Sequence, residues 1–364
     1  MKTDVLNWLD GRPTVKRPSK ETLNHPGIIE LVTGRDVYAE TPAAYQEAYE
    51  ALGIDIINVV PEQNAPTPIS PGEVVMQHGG RVQESYLGVF NTTSRIRFPY
   101  ATVEAFWEAD MAALDYAALD LPGAQYMMAC RREVIERKMA RAGDVGLYYY
   151  QLYTTLFMWG VEALGWEIFL LGAALDAERF DRHFLAPAFE KTKKIVTMLS
   201  ELDSPVVFCH DDIATATGPV FRPDWYDTYI YPRYEELWKI PHERGKKVCF
   251  VADGKLDWAL ESLRNTGCDG VMFESPTTDL DAVVDVFGDR VYIGGIDAIL
   301  LTMGTPDDVR RHVTGVCRRT VDEKGLALCC SGSLVGNMPL ENLEVYFDTR
   351  VDFGFTEPDW RRRK

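Results

Sequence analysis

Pro205-Val-Val-Phe-Cys-His210-Asp211-Asp212, Lys247-Val-Cys-Phe-Val-Ala-Asp253-Gly254 and Gly270-Val-Met-Phe-Glu274-Ser-Pro276 are three short apolar runs, each stopping abruptly in acids, glycine or small polar residues. Such runs, separated by helix-length segments, mark strands of a parallel sheet built from strand-helix units. Outward from them, the pattern predicts further strands near 291 and 326, and helices over 224–244, 255–266, 279–287 and 306–323. Upstream, Ile54-Asp-Ile-Ile-Asn-Val-Val60 is rich in β-branched residues and closed by Pro61, and another strand is expected over 147–153. Val351-Asp-Phe353 can supply the eighth strand. The expected fold class is therefore α/β, a TIM (β/α)8 barrel with an N-terminal helical and hairpin extension, spanning 1–364 as one domain. A doubly wound open sheet is the weaker alternative, because no Gly-x-Gly-x-x-Gly turn follows a strand.

Residues 1–50 are polar and interrupted by Pro13, Pro18, Pro26 and Pro42, which suggests a cap with helical pieces at 3–9 and 43–52. Alternation of apolar and polar residues over 80–102 suggests a hairpin inserted after the first strand. Further helices are expected at 103–119, 131–141, 162–171 and 177–202.

The net charge of −17, from 55 acids against 38 Lys and Arg, argues against nucleic acid, whose phosphates are held by many cationic contacts. The basic tail Arg361-Arg362-Arg363-Lys364 reads as a solvated end. Seven cysteines without a paired framework, together with an N-terminus lacking an apolar signal segment, suggest a reduced cytoplasmic setting. The run from Val145 to Val161 is too short and too polar for a membrane span and reads as a buried strand leading into a core helix.

Polar groups at the C-terminal ends of barrel strands are where such folds place their chemistry. Cys209-His210-Asp211-Asp212 is the densest such cluster, and strand alternation sends only two of its four side chains inward. Asp211, Asp212, His210 and Asp253 are the expected catalytic groups, since carboxylates and imidazole at a barrel mouth serve as general acids, bases or metal ligands. Asp211 and Asp212 can equally cap the next turn, and Asp253-Gly254 can be an ordinary turn. Glu274, Asp297, Ser331 and Asn337, which follow later strands, are expected to touch the substrate, while Ser275 or Thr277 can cap the helix near Leu280. Cys209, His210, Cys249 and Cys330 are soft donors for a metal, with Cys330 and His210 the preferred pair, although their spacing follows no standard zinc pattern. The tyrosines and tryptophans, Tyr148-Tyr149-Tyr150 among them, are core by default, with a subset available to line a pocket.

In order along the chain, these segments resemble the uroporphyrinogen decarboxylase superfamily, which includes corrinoid-dependent methyltransferases. The resemblance rests on Asp211-Asp212 through Gly218-Pro219 with Pro223 and Tyr231-Pro232, on Val251-Ala252-Asp253-Gly254, on Gly267-Cys-Asp269, on Gly294-Gly295-Ile296-Asp297, on Met303-Gly-Thr-Pro306 and on Pro339-Leu-Glu341-Asn342. It covers about 155 to 354 and implies a TIM barrel. The decarboxylase's arginine-rich N-terminal segment has no counterpart near Pro13 to Arg17, so gripping a polycarboxylated tetrapyrrole is disfavoured. The zinc ligands of the thiol methyltransferases would fall at Val251, Asp253 and near Gly332, where neither histidine nor thiolate is retained. The resemblance implies a methyltransferase that moves a methyl group between a small methylated compound, such as an aromatic methyl ether or amine, and a corrinoid protein. O-demethylation is one such reaction, and zinc is an optional cofactor. The alternatives are a decarboxylase-like lyase acting on a small carboxylated aromatic or tetrapyrrole, and a non-catalytic ligand-binding barrel.

Overall fold

The three runs quoted above are neighbouring parallel strands. We number the strands of the barrel β1 Lys20–Glu21, β2 Ile56–Ile57, β3 (broken into Leu147–Tyr148 and Gln151–Tyr153), β4 Val206–His210, β5 Lys247–Ala252, β6 Gly270–Phe273, β7 Val291–Ile296 and β8 Leu326–Cys330. The computed structural model describes residues 2–65, 74–77, 80–85, 92–95, 100–111 and 131–360. Strands β3 to β8 pair in sequence order, and β1, β2 and β3 form the remaining arc. An isolated parallel bridge between Ser19 and Leu328, with Leu328 N–H donating to Pro18 O at 3.2 Å, joins β8 to β1 and closes the ring.

The eighth strand is thus Lys20–Glu21, inside the segment expected to be a polar cap, and not Val351-Asp-Phe353. Val351 is instead the last residue of the helix Leu340–Val351 that follows β8. Two buried charged residues carry none of the β-branched signature by which strands are recognised, so β1 is invisible to pattern reading.

Alternation sorts each strand between two cores. Ile56, Leu147, Tyr149, Val206, Phe208, Cys249, Val251, Val291, Ile293, Ala327 and Cys329 fill the barrel interior. Val207, Cys209, Val248, Phe250, Val271, Phe273, Leu328 and Cys330 pack outward against the surrounding helices. The helix Lys2–Leu9 closes the bottom, with Val5, Trp8 and Leu9 joining the interior cluster and Trp8 Nε1 donating to Gly325 O at 2.8 Å. Full burial of side chains this size contributes roughly 1.5–3 kcal/mol each.

The connections carry the helices. The helix Phe157–Leu175 follows β3, and Pro223–Tyr229 with Tyr231–His242 follow β4. Leu260–Asn265, Leu280–Phe287 and Pro306–Arg319 follow β5, β6 and β7 in turn. Asp279 caps the helix Leu280–Phe287 by accepting the Asp281 N–H, in place of the expected Ser275 or Thr277. The helix Phe157–Leu175 is long and apolar enough by composition to cross a membrane, but Phe157, Trp159, Leu164, Ile168 and Phe169 are buried in the outer core, where a core helix places them. Between β2 and β3, strands Val74–Gln77, Gly80–Ser85 and Thr92–Arg95 form a small antiparallel sheet. The rest of the expected 80–102 hairpin, residues 112–119 of the expected helix and the basic tail lie outside the described residues.

Candidate active site at the barrel mouth

Inward positions of β4 continue from Val206 and Phe208 to His210, and those of β5 continue from Cys249 and Val251 to Asp253. The parity of two adjacent strands therefore aims His210 and Asp253 at the same opening. Asp212, two residues beyond His210, completes the group: its Oδ1 lies 2.7 Å from His210 Nε2 and accepts the Asp253 N–H at 2.8 Å. Gly254 permits this turn. Its φ of +85° suits glycine, and a Cβ there would meet Ala214 O at 2.8 Å. Glu274, at the end of β6, accepts the Gly254 N–H at 3.0 Å and braces the same turn.

His210 and Asp253 line a cavity of about 380 Å³, with Gln151, Tyr149, Tyr153, Met272, Ser333 and Lys20 among its other walls. His210 is gripped on both nitrogens: Gln151 Nε2 sits against Nδ1, while the Gln151 carbonyl oxygen accepts from Tyr149 OH. That chain orients the amide N–H toward His210, leaving Nε2 to share its proton with Asp212. Tyr153 packs edge-on to the imidazole with ring centroids 4.8 Å apart. Thr154 next to it adopts φ 71°, a left-handed conformation rare for a β-branched residue, of the kind that concentrates near functional sites.

The electrostatics separate the three groups. Burial would push the Asp212 carboxyl up, but the His210 imidazole and the Asp253 N–H outweigh it and hold Asp212 below the usual carboxylate range. Burial likewise opposes the charge on His210, yet Asp212, then Asp253 and Asp211, outweigh it and raise its affinity for a proton. Asp253 is reached by solvent through the mouth, but the surrounding protein and the charge of Asp212 push it up to about 6. One ionised carboxylate, one imidazole and one carboxyl poised near neutrality share a single opening.

The other expected residues divide. Asp211 faces outward with the alternation, is fully buried, and accepts the Leu156, Phe157 and Met158 N–H groups at 2.7, 2.7 and 2.6 Å and Tyr234 OH at 2.6 Å. It caps the first turn of Phe157–Leu175 and does not enter the cavity. Asp297 caps the helix Ala298–Met303 through the Ile299 and Leu300 N–H groups. Ser331 is tied to Ser275, accepting its N–H at 2.6 Å and donating to its carbonyl at 3.1 Å. Asn337 is exposed in the turn before Leu340–Val351.

Of the expected metal donors, Cys330 and Cys209 point into the outer core and Cys249 lies deeper within the barrel, so the thiols do not join His210. All three thiols are pushed well above their usual range by burial. The donors brought together are His210, Asp212 and Asp253, with ligand atoms within 4.8 Å of one another. One nitrogen and two carboxylate oxygens suit zinc or a harder divalent ion. This set fits a metal without cysteine.

Lys20 and Gln151 are wall residues that the sequence reading did not single out. Gln151 left one signal, an amide in an otherwise apolar strand. Lys20 left none.

Residues 182–353 match the family described as Uroporphyrinogen decarboxylase (URO-D). Over that stretch, just under half of its length, the chain resembles the uroporphyrinogen decarboxylase superfamily. The matched stretch runs from ahead of the helix Ala186–Ser200, which precedes β4, to just after the helix Leu340–Val351, and so holds His210, Asp212 and Asp253. Among solved structures, a methyltransferase from Methanosarcina mazei is similar at 15% identity and TM-score 0.63, covering 97% of this chain and 98% of that one. At that identity the likeness is one of fold. A Xanthomonas albilineans dihydropteroate synthase with 4-aminobenzoic acid aligns over 43% of this chain and 58% of its own, at 11% identity and TM-score 0.31, too distant to carry an argument. No curated protein sequence matches the chain.

Proposed function

We propose that this chain is a URO-D-like methyltransferase that moves a methyl group between a small methylated compound and a corrinoid protein. The observation that carries the reading is the convergence of His210 and Asp253 on one cavity, clustered with Asp212, with Asp253 pushed up to about 6. Transfer of a methyl group from an ether or amine breaks the bond from the methyl carbon to oxygen or nitrogen. The electron pair stays on that heteroatom, and the methyl carbon bonds to cobalt(I) of the partner's corrinoid. The departing heteroatom is a poor leaving group unless it is protonated or polarised.

Asp253 meets that demand as the proton donor, because a carboxyl near 6 is partly protonated at neutral pH and still acidic enough to give the proton up. Asp212 fixes the Asp253 backbone and orients His210, which returns a proton to the site after turnover. A metal held by the three residues would polarise the same heteroatom as a Lewis acid. The tyrosine walls suit a flat, partly apolar substrate. The fold shared with the Methanosarcina mazei methyltransferase accords with this reading.

The test is demethylation of a panel of methoxylated aromatics and methylamines by the full chain with a cobalt(I) corrinoid protein, followed by the cobalt spectrum. Methyl-cobalt formation that depends on the enzyme is expected. Carbon dioxide release without methyl transfer would replace this reading by the lyase.

A further inference from the structure

The floor of the same cavity carries a cation that the methyl-transfer chemistry does not use. Lys20 pairs in register with Ile56, whose side chain belongs to the barrel interior, so its stem rises from the interior layer toward the mouth. It is 1% exposed. Its Nζ donates to Thr22 Oγ1 at 2.8 Å and lies 5.4 Å from the centre of the Tyr149 ring. No carboxylate forms an ion pair with it among the described residues; the adjacent Glu21 points the other way, where Tyr346 OH and the Cys330 N–H meet its carboxylate. An ammonium has three donors, and one hydroxyl plus one ring face leave it under-satisfied in a place where an unpaired charge is costly. Burial would lower its proton affinity, but Tyr149, then Cys329 and Glu21, outweigh that and raise it.

One further feature points the same way. Lys138, from the helix Arg132–Ala142, lines the same cavity. The wall opposite the acids is therefore cationic and polar, in a chain with a net charge of −17. A solvated lysine could be tolerated anywhere on such a surface; a buried one facing an opening needs a counter-charge from what fills the opening.

We propose that Lys20 is the anion-binding residue of this cavity and that the compound bound there is a small carboxylate, held by its carboxylate at Lys20 with its other end toward His210 and Asp253. This rests on the reading of the same cavity as the methyl-transfer site and names the substrate class. A single buried ammonium matches one carboxylate, unlike the many cations a polycarboxylated tetrapyrrole demands.

Calorimetric titration of the full chain with 4-methoxybenzoate and with its uncharged counterpart 4-methoxybenzamide tests it. The benzoate is expected to bind at least about tenfold tighter, the scale of one charge-assisted hydrogen bond. Lys20→Met should abolish that preference while leaving the benzamide affinity unchanged, which also reports that the variant is folded; Lys20→Arg should restore most of it. Equal affinities in the wild type, or no binding of either compound, overturn the proposal without recourse to a variant. So does a preference that survives Lys20→Met. Methyl transfer is not read here, so the two readings fail separately: a lost preference with intact methyl transfer removes the anion site alone, and a clear preference without methyl transfer removes the methyltransferase alone.

Discussion

His210 Nε2 and the Asp253 backbone N–H meet the same oxygen of Asp212, at 2.7 and 2.8 Å. Asp212 thereby locks the end of β4 to the end of β5. The imidazole and the Asp253 backbone are thereby held in register, the kind of preorganisation a proton-transfer site needs.

If Asp253 supplies the proton, Asp253→Asn should lower the methyl-transfer rate at least about tenfold, equivalent to about 1.4 kcal/mol of barrier. The sign of the pH dependence follows from a carboxyl raised to about 6: its protonated form persists to that pH and is lost above it. The wild-type kcat/KM should therefore decline on the alkaline side of about 6, and the variant should lack that limb. Identical pH profiles would remove Asp253 from the mechanism.

Neighbouring aspartates should behave oppositely. Asp211→Ala strands three backbone N–H groups and the Tyr234 hydroxyl in a buried place, so unfolding free energy should drop by about 3 kcal/mol or more. Asp212→Ala should cost activity far more than stability. Urea denaturation of both variants beside their rates would expose an inverted order.

Zinc added to the metal-stripped chain should bind at one site that includes His210 and Asp253. His210→Gln or Asp253→Asn should weaken it about tenfold or more, whereas Cys330→Ser should leave it unchanged, because that thiol faces the outer core. Competition with a chromogenic chelator reads all three. Loss of binding in Cys330→Ser would mean the thiol reaches the site after all.

Glu21 is fully buried, and desolvation pushes it up to about 7 despite help from Tyr346, Lys20 and Arg350. A carboxyl whose folded value exceeds its unfolded value holds its proton better in the native state, so stability is greatest at low pH and falls as pH rises from about 4.5 to about 7. Glu21→Gln should remove this loss and be more stable than the wild type at pH 8, when the two are compared by thermal melting. A lower melting point for the variant at pH 8 would show that ionised Glu21 is held favourably.

The acids at 212 and 253 were legible because β4 and β5 announce themselves with buried β-branched and aromatic runs, and each run stops where the barrel opens. Alternation also limits which neighbours face inward, although telling Asp212 from Asp211 required knowing that Val206 and Phe208 line the interior. Ser331, Asp297 and Asn337 lie at or beyond strand ends by the same logic, yet Ser275 engages the first, a helix cap the second, and solvent surrounds the third. Short polar side chains next to free backbone N–H groups cap turns as readily as they bind ligands, and spacing alone does not distinguish the two.

From the order of its residues, this chain is committed to repeated strand-helix units and to acids at their C-terminal ends, because hydrophobic periodicity and chain-breaking residues act over a few positions. Closure of the ring depended on folding: β1 is two charged residues that become a strand because Ile56 and Ile57 pair with them on one side, while on the other Leu328 bridges to the preceding Ser19 and donates to Pro18 O. The same long-range pairing buries Lys20 beneath the mouth, so the cation that faces His210 and Asp253 across the cavity is set by contacts spanning almost the whole chain, which no local pattern encodes.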